Sequence, residues 1–137
     1  MLVKNGPNKR DNALVVITAL PAAAATNYSD SLDLRAESPQ LVPQIELELA
    51  VPATPSLADT KTIVLTVQDS ADDNTFNDLP INLTITGDGG DGADAVEKRL
   101  GLPSTVRRYV RLKQAISDAA AGDNTAVSTT LAAILFE

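Results

Sequence analysis

Apolar and polar residues alternate one for one along several stretches of this chain, and that period of two confines it to strands. Ile45, Leu47, Leu49 and Val51 fall on one side, with Glu46 and Glu48 on the other. Ile63, Leu65 and Val67 repeat the pattern, and Ile81, Leu83 and Ile85 alternate with Asn82, Thr84 and Thr86. Successive strand side chains point to opposite faces, so each stretch reads as a strand with one buried and one wet face. Further strands are expected over residues 13–20, 31–34, 96–102, 107–112 and 127–136. Residues 112–121 have helical propensity, but Val110 and Leu112 continue the period of two, and Gly122 and Asp123 close the segment as a loop. Residues 21–31 read as small and irregular, 69–78 as an acidic turn, 87–94 as a Gly/Asp loop and 117–124 as a small-residue turn.

Seven or eight strands between turn signals, with no convincing amphipathic helix, predict an all-β fold: an antiparallel β-sandwich, jelly-roll-like. Pro52 and Pro55 end the strand that carries Glu46 and mark it as a sheet edge. Residues 1–12, rich in polar and turn residues, read as a flexible N-terminal arm, and 13–137 as a single sandwich domain. A chain of 137 residues can bury a real core. With Tyr28, Phe76, Tyr109 and Phe136 as its only aromatic residues, that core is aliphatic.

What is missing narrows the function. There is no His, no Cys and no Trp. Disulfides and thiolate metal sites are excluded, and no imidazole exists to activate a serine or threonine. No nucleophile-elbow or phosphate-loop sequence occurs. Asp69, Asp72, Asp73 and Asp78 form a carboxylate cluster, but Ser70, Asn74, Thr75 and Asn77 describe a wet turn, not the apolar pocket that catalysis by paired acids needs. The expectation is a protein that is not an enzyme. A formal net charge of -7 argues against a general nucleic-acid binder, since neutralising phosphate needs a broad basic face. No run approaches the roughly 18 apolar residues of a membrane span. Asp11 and Asn12 precede the apolar residues 14–25 and Pro21 interrupts them, which is unlike a signal peptide.

Two sites stand out against that background. Arg107, Arg108 and Arg111 crowd into five residues of an acidic chain. In a strand, Arg107, Tyr109, Arg111 and Lys113 share one face, and Arg108, Val110 and Leu112 the other. Arg and Tyr are enriched at protein interfaces, so Arg107, Tyr109 and Arg111 are candidate interface residues. The plain alternative is cross-strand pairing with Glu46 and Glu48. Lys4, Lys9 and Arg10 in the arm are further candidates, because a loose basic segment can order on a partner surface. The second site is the Gly/Asp loop. Asp88, Asp91 and Asp94 at three-residue spacing are weak candidates to hold calcium, which takes six to eight oxygens. Read plainly, the loop is a solvated turn made of residues that tolerate positive φ. No cofactor is otherwise expected.

The chain resembles the small capsid cement, or head decoration, proteins of tailed bacteriophages. Thr66-Val67-Gln68-Asp69-Ser70 with Asp73 and Thr75-Phe76 carries one part of the resemblance. Leu102-Pro103 followed by Arg107-Arg108-Tyr109-Val110-Arg111-Leu112 carries a second, and Leu131-Ala132-Ala133-Ile134-Leu135 after Ala121-Gly122 a third. The acidic insert 87–94 departs from the family. The resemblance implies a β-sandwich that forms a homotrimer and sits on the outer surface of the virion capsid at three-fold positions. Its partner would be the major capsid protein, with neither membrane nor nucleic acid involved. The other reading is a non-catalytic carbohydrate-binding or adhesive β-sandwich module. Such a module needs exposed aromatic platforms, which this chain is poorly supplied to build.

Overall fold

The structure, a computed structural model, describes residues 8–34, 45–103 and 106–136. Among them are nine strands and no helix: β1 (Asn8–Ala19), β2 (Ala25–Tyr28), β3 (Leu32–Asp33), β4 (Ile45–Val51), β5 (Thr62–Ser70), β6 (Asn77–Thr86), β7 (Val96–Gly101), β8 (Tyr109–Ile116) and β9 (Ser128–Phe136). They form two antiparallel sheets. The first has the order β1-β9-β4-β7, and the second β2-β8-β5-β6, with β3 also on β8.

This order is what a long hairpin makes when it is rolled up. Its turn lies between β5 and β6, and working outward β4 pairs with β7, β2 with β8 and β1 with β9. Consecutive rungs fall in opposite sheets, which is the jelly-roll arrangement. The short β3 continues β2 along the same edge of β8. Between the two, Ser29 keeps the ladder going: its backbone N donates to Leu112 O at 2.8 Å, and its Oγ accepts from Leu112 N at 2.8 Å.

The alternation read in the sequence turns into burial. Leu47, Leu49 and Val51 of β4 meet Ile63, Leu65 and Val67 of β5, Val110, Leu112 and Ile116 of β8, and Leu131 and Ala133 of β9 in one aliphatic core. Each fully buried Leu, Ile or Val contributes about 1.5–3 kcal/mol. Gln114 is a polar exception inside the sandwich. Its Nε2 donates to Ala19 O at 3.0 Å and to Asn27 Oδ1 at 2.9 Å, and its Oε1 accepts from the Thr129 hydroxyl. One amide thereby ties β8 and β2 of the second sheet to β1 and β9 of the first.

Several expectations are corrected. β4 is not an edge, because β9 and β7 flank it; Pro52 and Pro55 follow the strand and do not interrupt it. β1 begins at Asn8, so residues 8–12 of the expected arm pair with β9 or bulge away from it, while residues 1–7 lie outside the described part. Residues 25–28 are a strand, because pairing with β8 overrides their weak local propensity. β5 runs on through Asp69 and Ser70, both buried, where an exposed turn was expected. Residues 107–108 precede β8 and are not part of it.

One end of the sandwich is closed by loops packed on residues 54–58. Thr54 and Ala93 exchange backbone hydrogen bonds, and Ala58 N donates to Ala121 O at 3.0 Å. Two glycines permit the approach. At Gly92 (φ 75°) a Cβ would lie 2.0 Å from Thr54 O, and at Gly122 (φ 90°) 2.2 Å from Ser56 O.

Candidate interface on the second sheet

β8 alternates strictly, with Val110, Leu112, Gln114 and Ile116 buried and Tyr109, Arg111, Lys113 and Ala115 on the outer face of the second sheet. Arg111 is the centre of that face. Its guanidinium carbon sits over two rings, 4.2 Å from the Tyr28 ring centroid and 3.9 Å from that of Phe76. Arg111 Nε donates to Gln68 Oε1 at 2.8 Å, and Gln68 Nε2 in turn donates to Asp78 Oδ1 at 2.7 Å. The two terminal nitrogens of Arg111 have no hydrogen-bond partner among the described residues.

Three elements set this geometry. β2 pairs Tyr28 with Lys113, which puts the tyrosine one position along from Arg111 on the same outer face. β5 pairs Gln68 with Arg111. The turn after β5 delivers Phe76: Asp72 Oδ1 accepts from Ser70 Oγ, Asn74 N and Thr75 N at 2.9, 3.0 and 2.9 Å. The Thr75 backbone N–H, the Ser70 hydroxyl and the Asn74 backbone N–H favour the charged form and hold the Asp72 carboxyl below its usual value. Planar, fixed cations of this kind bind carboxylates through a rigid fork, and fixing the side chain in advance reduces the entropy lost on binding.

The other sequence candidates have different roles. Arg107 is a clamp. Its backbone N donates to Asp69 Oδ2 at 3.0 Å and its Nη2 to Asp69 Oδ1 at 3.0 Å, which fastens the segment before β8 to the end of β5. The hydrogen bond to Asp69 raises the Arg107 guanidinium above its already high ordinary value. Arg108 donates from Nε and Nη2 to the two oxygens of Asp33 at 2.8 and 2.7 Å, and lies 5.0 Å from the Tyr109 ring centroid. The partners of these arginines are therefore Asp69 and Asp33, not Glu46 and Glu48, which belong to the other sheet. There Glu46 faces Arg99 at 3.7 Å. Lys9 and Arg10 lie in β1, also in the first sheet, so they do not join the Arg111 face; Lys4 is outside the described residues.

Asp88, Asp91 and Asp94 line one open groove of about 480 Å³ with Thr84, Thr86 and Val96. Among the described residues they do not converge with each other, or with any further acid, into a group able to hold a metal. The loop is braced from the protein side, where Gly90 N donates to Asp59 Oδ1 at 2.6 Å.

The sequence did not point to Tyr28, Gln68, Phe76 or Asp78 as neighbours of Arg111. A signal was present in the scarcity of aromatic residues. Of the four, Tyr28, Phe76 and Tyr109 stack on arginines of one short segment. No helix among the described residues is long and apolar enough to cross a membrane.

No family model and no curated protein matches the chain. Among solved structures, the PBSX exported protein XepA superposes with a TM-score of 0.55 at 11% identity, over 98% of this chain and 46% of that one. The chain thus spans less than half the length of XepA. A protein of the disulfide-linked pili of Bacillus endospore appendages gives a TM-score of 0.47 at 12% identity, covering 99% and 96% of the two chains. The cellulose-specific carbohydrate-binding module CBM28 gives 0.48 at 12% identity, covering 95% and 78%. At 11% identity the likeness to XepA is one of fold, and the fold the two share is a β-sandwich.

Proposed function

We propose that this chain is a virion structural protein that binds the outer surface of an assembled phage capsid and stabilises the shell. The observation that carries the reading is the Arg111 face. An acidic chain stacks one arginine on two rings, with both terminal nitrogens unpartnered among the described residues, on the outer face of the second sheet. Macromolecular docking uses such a group better than small-molecule chemistry does, since Arg and Tyr anchors dominate protein interfaces. The fold shared with the exported protein XepA and the resemblance to cement proteins lend support.

The mechanism is linkage. A protein that bridges neighbouring subunits binds the assembled shell and not the dispersed subunits, so its binding free energy is added to shell stability. As a homotrimer it would place three equivalent footholds, and modest contacts would combine into strong attachment. Arg107 fastens the segment before β8, so the test leaves it in place. Arg111→Glu with Lys113→Glu is expected to lower capsid occupancy, measured as copies per shell after sedimentation. Truncating an interface anchor costs about 2 kcal/mol, roughly 30-fold per contact. Full occupancy by a correctly folded double variant would sink the assignment.

A further inference from the structure

We propose that the open edge of β1 is a self-association site. A second copy of this chain pairs antiparallel with it about a two-fold axis at Ile17, joining two four-stranded sheets into one of eight. β1 pairs with β9 on one side and, among the described residues, is hydrogen-bonded to no strand on the other, although β3 of the second sheet packs near it. Its exposed edge is Val15-Val16-Ile17-Thr18, four β-branched residues with no charge and no proline. Ile17 is 70% exposed, the most exposed large hydrophobic side chain among the described residues. The bulge between Arg10 and Val15 sets this stretch apart from the charged residues before it. At its far end, the Ala19 carbonyl already accepts from Asn27 Nδ2 and Gln114 Nε2.

Charge selects the occupant. Edge strands are normally guarded by charges, prolines or interruptions that prevent pairing. The other three edges of this sandwich carry such guards. β6 has Asp78 and Pro80, β7 has Glu97, Lys98 and Arg99 in succession, and the β2–β3 edge is broken at residues 29–31 and carries Asp30 and Asp33. Self-pairing there would crowd charged side chains together, Lys98 against Lys98 in a β7 register centred on it, or lose a backbone donor. At β1 the two-fold register sets Ile17 opposite Ile17 and Val16 opposite Thr18, a neutral and well-matched set within the ladder. An isologous contact uses both edges and closes, so it ends in a pair and not a fibre. The Arg111 face lies on the other sheet and stays accessible in both copies. Combined with a three-fold contact elsewhere, the pairing makes a dimer of trimers.

Mass and cross-linking test this independently of capsid binding. By light scattering on a sizing column, the wild-type chain is expected at an even multiple of its 14.3 kDa, and Ile17→Lys at half that mass with an unchanged circular dichroism spectrum. Because the chain has no cysteine, Ile17→Cys gives a clean second reading. Directly opposed strand residues lie within disulfide reach, so this variant is expected to form a covalent dimer on mild oxidation, well above an Asp88→Cys control. Identical masses for wild type and Ile17→Lys, with cross-linking of Ile17→Cys no better than the control, would overturn the proposal.

Discussion

At the scale of single residues, polar side chains do much of the specifying in a core that is otherwise aliphatic. Gln114 uses both ends of its amide to join the two sheets. Gln114→Ala takes a partner from the Thr129 hydroxyl and from Asn27 Oδ1, while Ala19 O keeps Asn27 Nδ2, and an unsatisfied buried group costs about 1–3 kcal/mol. The variant is expected to lose about 2–4 kcal/mol in urea unfolding; a loss near zero would mean that water replaces the amide. None of this was legible in the sequence, where Gln114 merely occupies an inward position of the alternation. Arg111 was legible in part. Its outward face follows from the period of two, but its ring partners come from β2 and from the turn after β5, far away along the chain.

At the scale of elements, alternation located the strands well where it was long, as in β4 and β5, whereas β6 starts earlier and β8 ends later than expected. It failed where pairing decides instead, as in β2, and it could not tell an interior strand from an edge. Pro52 and Pro55 report where β4 ends and nothing about its neighbours. Loops show the same limit. The Gly/Asp loop reads as tolerant of positive φ, but its glycines are not equivalent. A Cβ at Gly89 would meet nothing within 4 Å, whereas one at Gly92 would run into Thr54 O. Gly89→Ala is expected to cost about 1–2 kcal/mol from conformation alone, and Gly92→Ala distinctly more, read as the difference in thermal midpoint. Equal losses would show that the 54–58 loop yields. The acidic turns also set the pH response. Asp72, Asp118 and Asp123 are held below their usual value, chiefly by Thr75 N–H, Lys61 and the Thr125 hydroxyl respectively. A depressed folded-state value means that their stabilisation is complete above the unfolded carboxylate range and is lost as pH falls through the lower folded values. Melting temperature is expected to hold steady through neutral pH and fall only below the ordinary carboxylate range. A fall that begins near neutrality would contradict this.

At the scale of the molecule, the rolled hairpin puts the Arg111 face and the open β1 edge on opposite sheets. Among the described residues the two exposed large hydrophobic side chains are Ile17 and Tyr28, one on each sheet. The sandwich class was readable from alternation and turn spacing, because those are local. The strand order was not, because it depends on which edges meet. The basic face emerged in the sequence as a cluster of arginines, and folding then divided it: Arg107 and Arg108 went to carboxylates at the sheet's end, leaving Arg111 and Lys113 to face outward. Under the proposed function, this face attaches the chain to an assembled shell and not to its parts. The direct measurement is co-sedimentation of the chain with intact capsids and, separately, with the same major capsid protein dispersed into subunits. Saturable binding to intact shells and none to subunits is expected. Equal binding to both, or binding to neither, would contradict it.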